Sequence, residues 1–360
     1  MKVPTTETLP AFLLMLASLC LGQADAIPKN ASAVVLQAFG THDVVMLGEI
    51  HWNKQEYQWL QSLVTNPEFA DRVDDVVMEF GNSLYQKSVD RYIAGEPVSI
   101  EKVQRAWRNT LGLGDPPPIY GDLYKAVREM NMRRHGKHQM RVLCGDPYIN
   151  WHKVKTKDDV GPYLGHRDQW YAEVVKDEVL AKHHRAFLIA GSAHFLRKEG
   201  NGYIEPELLR GGAKTFVILA GTNAVKGYDD LDQRFDFWAA PSIALLNGNW
   251  VGDLLAIPVI SGGTEGIDST LKLKDAADAL LYLGPRDSLI SVETRREDVD
   301  GTRYGKELLR RMKIVGMVLP YIPDVKESPQ FDRPEPGNGP PPFRPPKSID
   351  TPLPPRPPSQ

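Results

Sequence analysis

Two short apolar runs in this sequence end in glycine, and a histidine follows each glycine three residues later. The first covers residues 44–51 and ends in Gly-Glu-Ile-His; the second covers residues 186–194 and ends in Gly-Ser-Ala-His. A short apolar run bounded by glycine is typical of a buried strand in a parallel sheet, and ligands bind beyond the carboxyl ends of such strands. The pattern therefore predicts that His51 and His194 lie in a cleft.

Acidic residues end strand-like runs in the same way. Glu49 lies two residues before His51, and residues at this spacing in an extended chain point to the same side. Glu79 lies near the end of a further apolar run, two residues before Gly81, and Asp146 follows Gly145 at the end of another. Because a carboxylate and an imidazole can converge on one water or proton, we expect Glu49, His51 and Glu79 to share a site. Asp146 is equally explained as the cap of the next segment.

Arg167 and Asp168 precede the second histidine strand and complete a set suited to hydrolysis. Histidine or glutamate can activate water, a second histidine can donate a proton, and arginine can hold an anion, so no covalent intermediate is required. A surface ion pair is the other interpretation of Arg167 and Asp168. The sequence has no His-Glu-x-x-His, no Gly-x-Ser-x-Gly, no phosphate-binding loop and no dinucleotide fingerprint, which argues against several common enzyme classes.

The same side chains also suit a metal ion. Two histidines and up to three carboxylates are reasonable ligands for a divalent metal such as Mn²⁺ or Zn²⁺. We predict His51, Glu49 and His194 as its ligands. Residue spacing alone leaves metal-assisted and metal-free hydrolysis open.

Strand-like and helix-like segments alternate between residues 44 and 220. This alternation is typical of an α/β fold with a mostly parallel sheet flanked by helices. Strands are predicted at residues 44–47, 75–80, 141–146, 186–190 and 215–220, and helices at 53–64, 84–94, 100–110, 119–133 and 158–182. The candidate site is expected at the carboxyl ends of these strands.

The N-terminal residues predict a signal peptide over residues 1–26. Lys2 supplies a positive charge, an apolar stretch runs from residue 9 to 22, and Ala-Asp-Ala at 24–26 resembles a cleavage site. The apolar stretch is too short to span a bilayer. We therefore expect export to the periplasm or the cell exterior, and Cys20 makes a lipoprotein the less favoured alternative.

The remaining chain is predicted to have three parts. Residues 27–222 are the α/β core domain with the site, and residues 223–319 are a C-terminal extension packed on that core. Residues 320–360 hold 15 of the chain's 29 prolines and few apolar residues, which predicts a disordered tail.

The composition excludes some partners. Of the 360 residues, 42% are hydrophobic and 25% are charged, as in ordinary globular proteins. The formal charge is −3 and no stripe of Lys and Arg occurs, which argues against nucleic-acid binding. We expect a small-molecule or peptide substrate and no membrane span.

Four segments together resemble the superfamily that joins erythromycin esterases, Tiki-type proteases and ChaN-like haem-binding proteins. They are Leu-Gly-Glu-Ile-His at 47–51, Val-Met-Glu-Phe at 77–80, Arg-Asp-Gln-Trp-Tyr-Ala-Glu at 167–173 and Ala-Gly-Ser-Ala-His at 190–194. The resemblance covers residues 42–222. Its Arg-Asp segment is most similar to the esterases, although Tyr171 stands where they usually carry Met.

The resemblance implies an α/β core with its site at the strand ends and a catalytic set of Glu49, His51, Glu79, Arg167 and His194. The branches of the superfamily hydrolyse macrolide lactones, cleave peptides with a metal, or bind haem iron. Together with the residue patterns, this predicts an exported hydrolase for an ester, lactone or peptide bond, with or without a metal. The alternative is a ChaN-like protein that binds haem or another ligand without catalysis.

Each predicted site residue has a role in this hydrolase. His51 acts as the base on water, while Glu49 and Glu79 orient or coordinate. His194 stabilises charge or donates a proton, and Arg167 anchors the substrate. The substrate-binding residues are predicted to be Asp146 and Asp168.

Overall fold

One eight-stranded sheet forms the centre of the molecule. The computed structural model describes residues 25–112, 116–134, 137–195, 197, 204–221, 233–256 and 269–316. The strands are β1 (Lys29–Asn30), β2 (Val44–Glu49), β3 (Asp75–Asn82), β4 (Arg141–Asp146), β5 (Ala186–Gly191), β6 (Thr215–Gly221), β7 (Ser242–Leu245) and β8 (Ala279–Tyr282). Their order is β1-β7-β8-β6-β2-β5-β3-β4. From β8 to β4 neighbouring strands are parallel, while β7 and β1 pair antiparallel at one edge.

Besides a short helical stretch at residues 233–235, the α-helices of the described residues are α1 (Ala31–Ala38), α2 (Lys54–Val64), α3 (Pro67–Arg72), α4 (Gln86–Ile93), α5 (Ile100–Val103), α6 (Arg105–Arg108), α7 (Ile119–Arg133), α8 (Gly161–Gly165), α9 (Arg167–Glu178), α10 (Ile204–Arg210), α11 (Leu273–Ala276), α12 (Arg296–Val299) and α13 (Arg303–Val315). Short 3₁₀ turns lie at Ser83–Tyr85, Leu180–Lys182, Ser192–His194 and Arg286–Ser288. Within the described ranges, no helix is both long and apolar enough to cross a membrane.

Alternate residues of β2 belong to two different hydrophobic cores. Val45 and Leu47 belong to a core with residues of α1, α2 and α7 on one face of the sheet. Val44 and Met46 belong to a second core with residues of α9 and α10 on the other face. Because both faces are covered, every residue of β2 is buried and the strand is apolar without alternation. The predicted α/β fold, with a mostly parallel sheet flanked by helices, is confirmed.

Helix α2 begins where its sequence predicts. Asn53 is the N-cap, and its Oδ1 accepts a hydrogen bond of 2.8 Å from the Glu56 N–H. Tyr57, Leu60 and Leu63 recur at helical spacing and are fully buried against the sheet. This helix follows β2 directly, so its N-terminal turn determines where His51 lies.

The predicted helix over residues 158–182 is wrong, because two helices and a 3₁₀ turn cover this segment. Helix α8 ends at Gly165, and His166 has φ −120° and ψ 19° between the two helices. Glycine lowers helix stability, so Gly165 is a natural place for the break. The consequence is functional, since Arg167 and Asp168 become the first residues of α9.

The described part of residues 223–319 contributes to the same sheet. Strand β8 pairs with β6 in parallel, and β7 then pairs with β8 antiparallel. Each of the two strands has only four residues, so their periodicity in the sequence is weak. The predicted signal peptide, except residues 25 and 26, and the predicted tail at 320–360 lie outside the described residues.

Gln86, the first residue of α4, binds the outer edge of β4. Its Oε1 accepts a hydrogen bond of 2.7 Å from the Cys144 N–H, and its Nε2 donates one of 2.9 Å to the Val142 carbonyl. These are the two backbone groups with which a further parallel strand would pair. One side-chain amide therefore takes the place of a neighbouring strand at this edge.

Candidate active site

The two Gly-x-x-His motifs lie side by side on neighbouring strands. In the parallel register of β2 and β5, Glu49 is opposite Gly191. His51 and His194 therefore follow their strands at the same edge of the sheet. Between the motifs, the Ser192 hydroxyl donates a hydrogen bond of 3.0 Å to the Gly48 carbonyl.

Both glycines permit close approach between the motifs. A Cβ atom on Gly48 would lie 2.9 Å from Ser192 Cα, and a Cβ atom on Gly191 would lie 2.9 Å from His51 Nε2. Contacts this short require the neighbouring backbone or ring to move. Glycine at each position thus allows the His51 ring to pack directly on β5.

Glu49 holds the imidazole of His51 in one orientation. Its Oε1 lies 2.9 Å from His51 Nδ1, and it also accepts a hydrogen bond of 3.4 Å from the Tyr120 hydroxyl. The other carboxylate oxygen, Oε2, accepts a hydrogen bond from the Tyr57 hydroxyl. When His51 Nδ1 donates its proton to Glu49, Nε2 of the neutral imidazole presents its lone pair. The His51 side chain is 41% exposed.

Glu79 lies at a bulge in β3. The register with β4 shifts between Met78 and Asn82, so that β3 contains extra residues there. Bulges commonly re-aim a side chain next to a functional site. Here the bulge coincides with the residue whose carboxylate contacts both histidines.

The carboxylate of Glu79 is the centre of the cluster. Its Oε2 accepts a hydrogen bond of 2.7 Å from the Gly191 N–H and lies 3.8 Å from His51 Nε2. Its Oε1 lies 2.9 Å from an Arg167 nitrogen and 3.6 Å from His194 Nε2. Burial would raise the pKa of Glu79, but the positive charge of Arg167, together with that of His51 and His194 in their protonated forms, outweighs burial and holds that pKa well below its usual range. Glu79 is therefore ionised.

Arg167 joins two buried acids. Its Nε donates a hydrogen bond of 2.6 Å to Asp146 Oδ1, while its terminal nitrogen faces Glu79. Asp146 also accepts hydrogen bonds from the Tyr171 hydroxyl (3.0 Å) and the Leu111 N–H (2.5 Å). Burial raises the pKa of Asp146, and Arg167 opposes this rise.

Asp146 was predicted to bind substrate, but its position in the fold does not suit that role. It is fully buried, and its oxygens are occupied by protein donors. A side chain without exposed surface cannot touch a substrate in this conformation. Asp146 instead positions Arg167.

His194 is held as a cation. Its Nδ1 lies 2.5 Å from Asp168 Oδ1, and its Nε2 lies 3.6 Å from Glu79 Oε1. Burial alone would lower the pKa of His194. The negative charges of Asp168 and Glu79 outweigh burial and raise this pKa to about 10. The ring is therefore protonated at neutral pH. Asp168, predicted to bind substrate, is placed as the partner that orients this ring.

His51 differs from His194 in the surroundings of its Nε2 atom. Burial lowers the pKa of His51, and Glu79 and Glu49 together raise it above the ordinary imidazole value. The 3.8 Å separation between His51 Nε2 and Glu79 exceeds a hydrogen bond and leaves Nε2 available to a water molecule. The site thus contains a partly exposed histidine with one close carboxylate partner and a half-buried imidazolium between two carboxylates.

A metal could be held by three of these residues. Glu49, His51 and Glu79 each offer a ligand atom within 4.8 Å of the others, whereas His194, predicted as a ligand, is not part of this group. The donor set is poorly suited to a cation, because Arg167 and His194 already balance Glu79. Hydroxyl groups and an imidazole also occupy both oxygens of Glu49.

Several residues that build the site were not predicted as members of it. Tyr57 and Tyr120 bind Glu49, Tyr171 binds Asp146, and the fully buried Glu56 accepts a hydrogen bond of 2.8 Å from the Ile50 N–H. The Asn53-x-x-Glu56 spacing is that of a capping box, which is a detectable signal for Glu56. Tyrosines on a buried helix face give no comparable signal, because the face alone explains their burial.

No protein-family model matches the chain, and no curated protein matches it. Solved structures similar to it include a succinoglycan biosynthesis protein, with 9% identity, a TM-score of 0.49, and coverage of 73% of this chain and 95% of that chain. An erythromycin esterase mutant, EreC, in its open conformation has 10% identity and a TM-score of 0.45, covering 72% and 94%. ChaN of Campylobacter jejuni with cofacial haem has 12% identity and a TM-score of 0.33, covering 69% and 90%.

An esterase and a haem-binding ChaN are thus among the similar structures, as the sequence resemblance predicts. With identities of 9–12% and TM-scores below 0.5, these similarities assign no substrate to the chain.

Proposed function

We propose that this protein is an exported hydrolase that cleaves an ester, lactone or peptide bond with water activated by His51. One observation carries the proposal: two histidines flank the same carboxylate, one with a side chain that is 41% exposed and the other protonated with a pKa of about 10. A base and an acid in one site at one pH are what acyl transfer to water requires.

The steps follow from these protonation states. His51 Nε2 accepts a proton from water while the water oxygen forms a bond to the carbonyl carbon. The carbonyl oxygen becomes negative, and the Arg167 and His194 cations stabilise it. His194 then donates its proton to the leaving oxygen or nitrogen as that bond breaks. Glu49 holds His51 in the required tautomer throughout.

The metal-free form of this reaction is the one that the charges favour. Glu79 pairs with Arg167 and His194, so an added divalent ion would compete with two fixed cations. We expect a chelator to leave both the turnover and the melting temperature unchanged. Loss of both, with recovery on adding Zn²⁺ or Mn²⁺, would instead support metal-assisted hydrolysis with ligands Glu49, His51 and Glu79.

Haem binding without catalysis remains the competing function. An imidazole ligates iron through an unprotonated nitrogen, and both nitrogens of His194 face carboxylates. His51 Nε2 is then the nitrogen of this site left for iron. A haemin titration that gives a sharp Soret band, abolished in His51→Gln, would support the haem-binding function.

The hydrolase is tested with a panel of nitrophenyl esters, lactones and peptides. We expect the wild type to turn over at least one class and His51→Gln to lose at least about 100-fold in kcat/KM. The matched control is His138→Gln, because His138 is a half-exposed histidine that precedes β4 at the opposite end of the strands. No turnover of any class by the folded wild type would contradict the proposal.

A further inference from the structure

Trp52, the residue after His51, has an unusual backbone conformation. Its φ is 67°, and among the described residues only Trp52 and His183 have positive φ without being glycine. For a bulky side chain this left-handed conformation is a genuine outlier. Glycine would adopt it without strain, so the turn itself gives no reason for a tryptophan.

Two other parts of the chain hold Trp52 in this conformation. The Trp52 N–H donates a hydrogen bond of 3.3 Å to the Tyr120 hydroxyl, and the Trp52 carbonyl accepts one of 2.7 Å from the Val292 N–H. Tyr120 also binds Glu49, which orients the base. Strain that the surroundings maintain in this way is concentrated at functional sites.

The Trp52 side chain is exposed beside the site. It is 40% exposed, whereas the six other tryptophans of the chain are buried or half-buried. Ile290, which is 49% exposed, lies on the segment that pairs with this turn, since its carbonyl accepts a hydrogen bond of 2.9 Å from the Lys54 N–H. The turn next to His51 thus presents an indole, and an aliphatic side chain lies on adjacent backbone.

We propose that Trp52 determines specificity, and that its indole packs on an apolar group of the substrate next to the bond attacked by water. This inference rests on the proposed hydrolase function. Arg167 and His194 supply positive charge inside the site, while the exposed indole of Trp52, on the residue that follows His51, is apolar surface that a substrate bound at His51 would meet. The substrate class is therefore an ester or amide whose carbonyl carries an aromatic or branched alkyl group.

Three variants distinguish an effect of the Trp52 indole from an effect on the fold. Trp52→Gly removes the indole and suits the positive φ, so the turn is retained. Trp52→Phe keeps an aromatic surface at the same position. Phe237→Ala is the control for loss of an exposed aromatic elsewhere, because Phe237 is 93% exposed on the loop before β7. Melting curves of all three check the fold.

Binding is measured by calorimetry with benzylphosphonate and methylphosphonate, which share an anionic tetrahedral head and differ in the apolar group. We expect the wild type, Trp52→Phe and Phe237→Ala to bind benzylphosphonate about tenfold more tightly than methylphosphonate. In Trp52→Gly the preference should fall to about twofold or less. A preference that is absent from the wild type, or unchanged in Trp52→Gly, overturns the proposal.

Kinetics distinguish this inference from the proposed function. With phenylacetate and acetate nitrophenyl esters, Trp52→Gly should lose about tenfold in kcat/KM for the aromatic ester, mainly through KM, and little for the acetate. If the phosphonate preference depends on Trp52 but no ester, lactone or peptide is hydrolysed, the hydrolase fails and the binding role of Trp52 stands. If esters are hydrolysed and Trp52→Gly keeps the wild-type selectivity, Trp52 has no role in specificity.

Discussion

The two histidines of the site have different partners, although their side chains are chemically identical. His194 faces a carboxylate at each nitrogen, at 2.5 Å and 3.6 Å. His51 has one close carboxylate partner, at 2.9 Å, and its second nitrogen lies 3.8 Å from Glu79. In the proposed reaction, environment rather than residue type separates the acid from the base.

If both histidines act on one reacting centre, their replacements should be non-additive. We expect His51→Ala and His194→Ala each to lower kcat/KM by about 10²–10⁴-fold, and the double variant to lose little more. Kinetics and circular dichroism on the three variants check this. Full activity in either folded single variant would exclude that histidine from the mechanism.

The ion pair of His194 should make stability depend on pH. Because the folded pKa of about 10 lies above the unfolded value of about 6.5, the stabilisation is complete below pH 6.5 and is lost as pH rises through 10. Urea unfolding at pH 6, 8 and 10 should show the free-energy difference between wild type and His194→Gln shrinking by about 4 kcal/mol from pH 6 to pH 10, because one pKa unit corresponds to about 1.4 kcal/mol. A difference independent of pH would mean that His194 is uncharged in the folded chain.

The sequence alone pointed to the candidate site residues at the strand ends. It did not point to the residues that hold them in position. Glycine, acid and histidine at fixed spacing identify Glu49, His51 and His194 as candidates. The role of Asp146 as a support for Arg167 depends on a contact between residues 21 positions apart. Contacts of that kind are decided by packing, which leaves no local pattern.

At the scale of elements, the turn between β2 and α2 connects helix capping with the active site. We expect Asn53→Ala to lower the free energy of unfolding by about 1 kcal/mol and also to lower kcat/KM, because the turn that carries His51 loses its cap. Unfolding curves and kinetics measure the two effects.

Asn66→Ala is the matched control, because Asn66 caps α3 through a hydrogen bond of 2.9 Å to the Glu68 N–H, away from His51. It should lose similar stability and keep its activity. Equal loss of activity in both variants would mean that the cap at Asn53 acts through global stability alone.

Long periodic segments were predicted well and short ones poorly. Helices α2 and α7 agree with their predictions because each has several turns of amphipathic sequence. Strands β7 and β8, with four residues each, join the sheet through pairing with distant neighbours. Their placement depends on tertiary contacts that no local window contains.

At the scale of the whole molecule, we expect the stability of the fold to require α13 and not the residues after position 319. Deleting residues 320–360 should change the melting temperature by no more than a few degrees, because so proline-rich a segment has little apolar surface to bury. Deleting residues 303–360 also removes the buried Leu308, Met312 and Val315, at a cost on the order of 5 kcal/mol. Its melting temperature should fall by more than about 10 °C. Equal melting temperatures for the two truncations would contradict this difference.

The amide of Gln86 on the outer edge of β4 has a consequence for chains in solution. An uncovered edge strand is a template on which a second copy can add a strand, which is how many proteins begin to aggregate. Here the Cys144 N–H and the Val142 carbonyl are already satisfied within the chain. An incoming strand would first have to displace Gln86, so we expect this edge of β4 to resist pairing with a second copy of the chain.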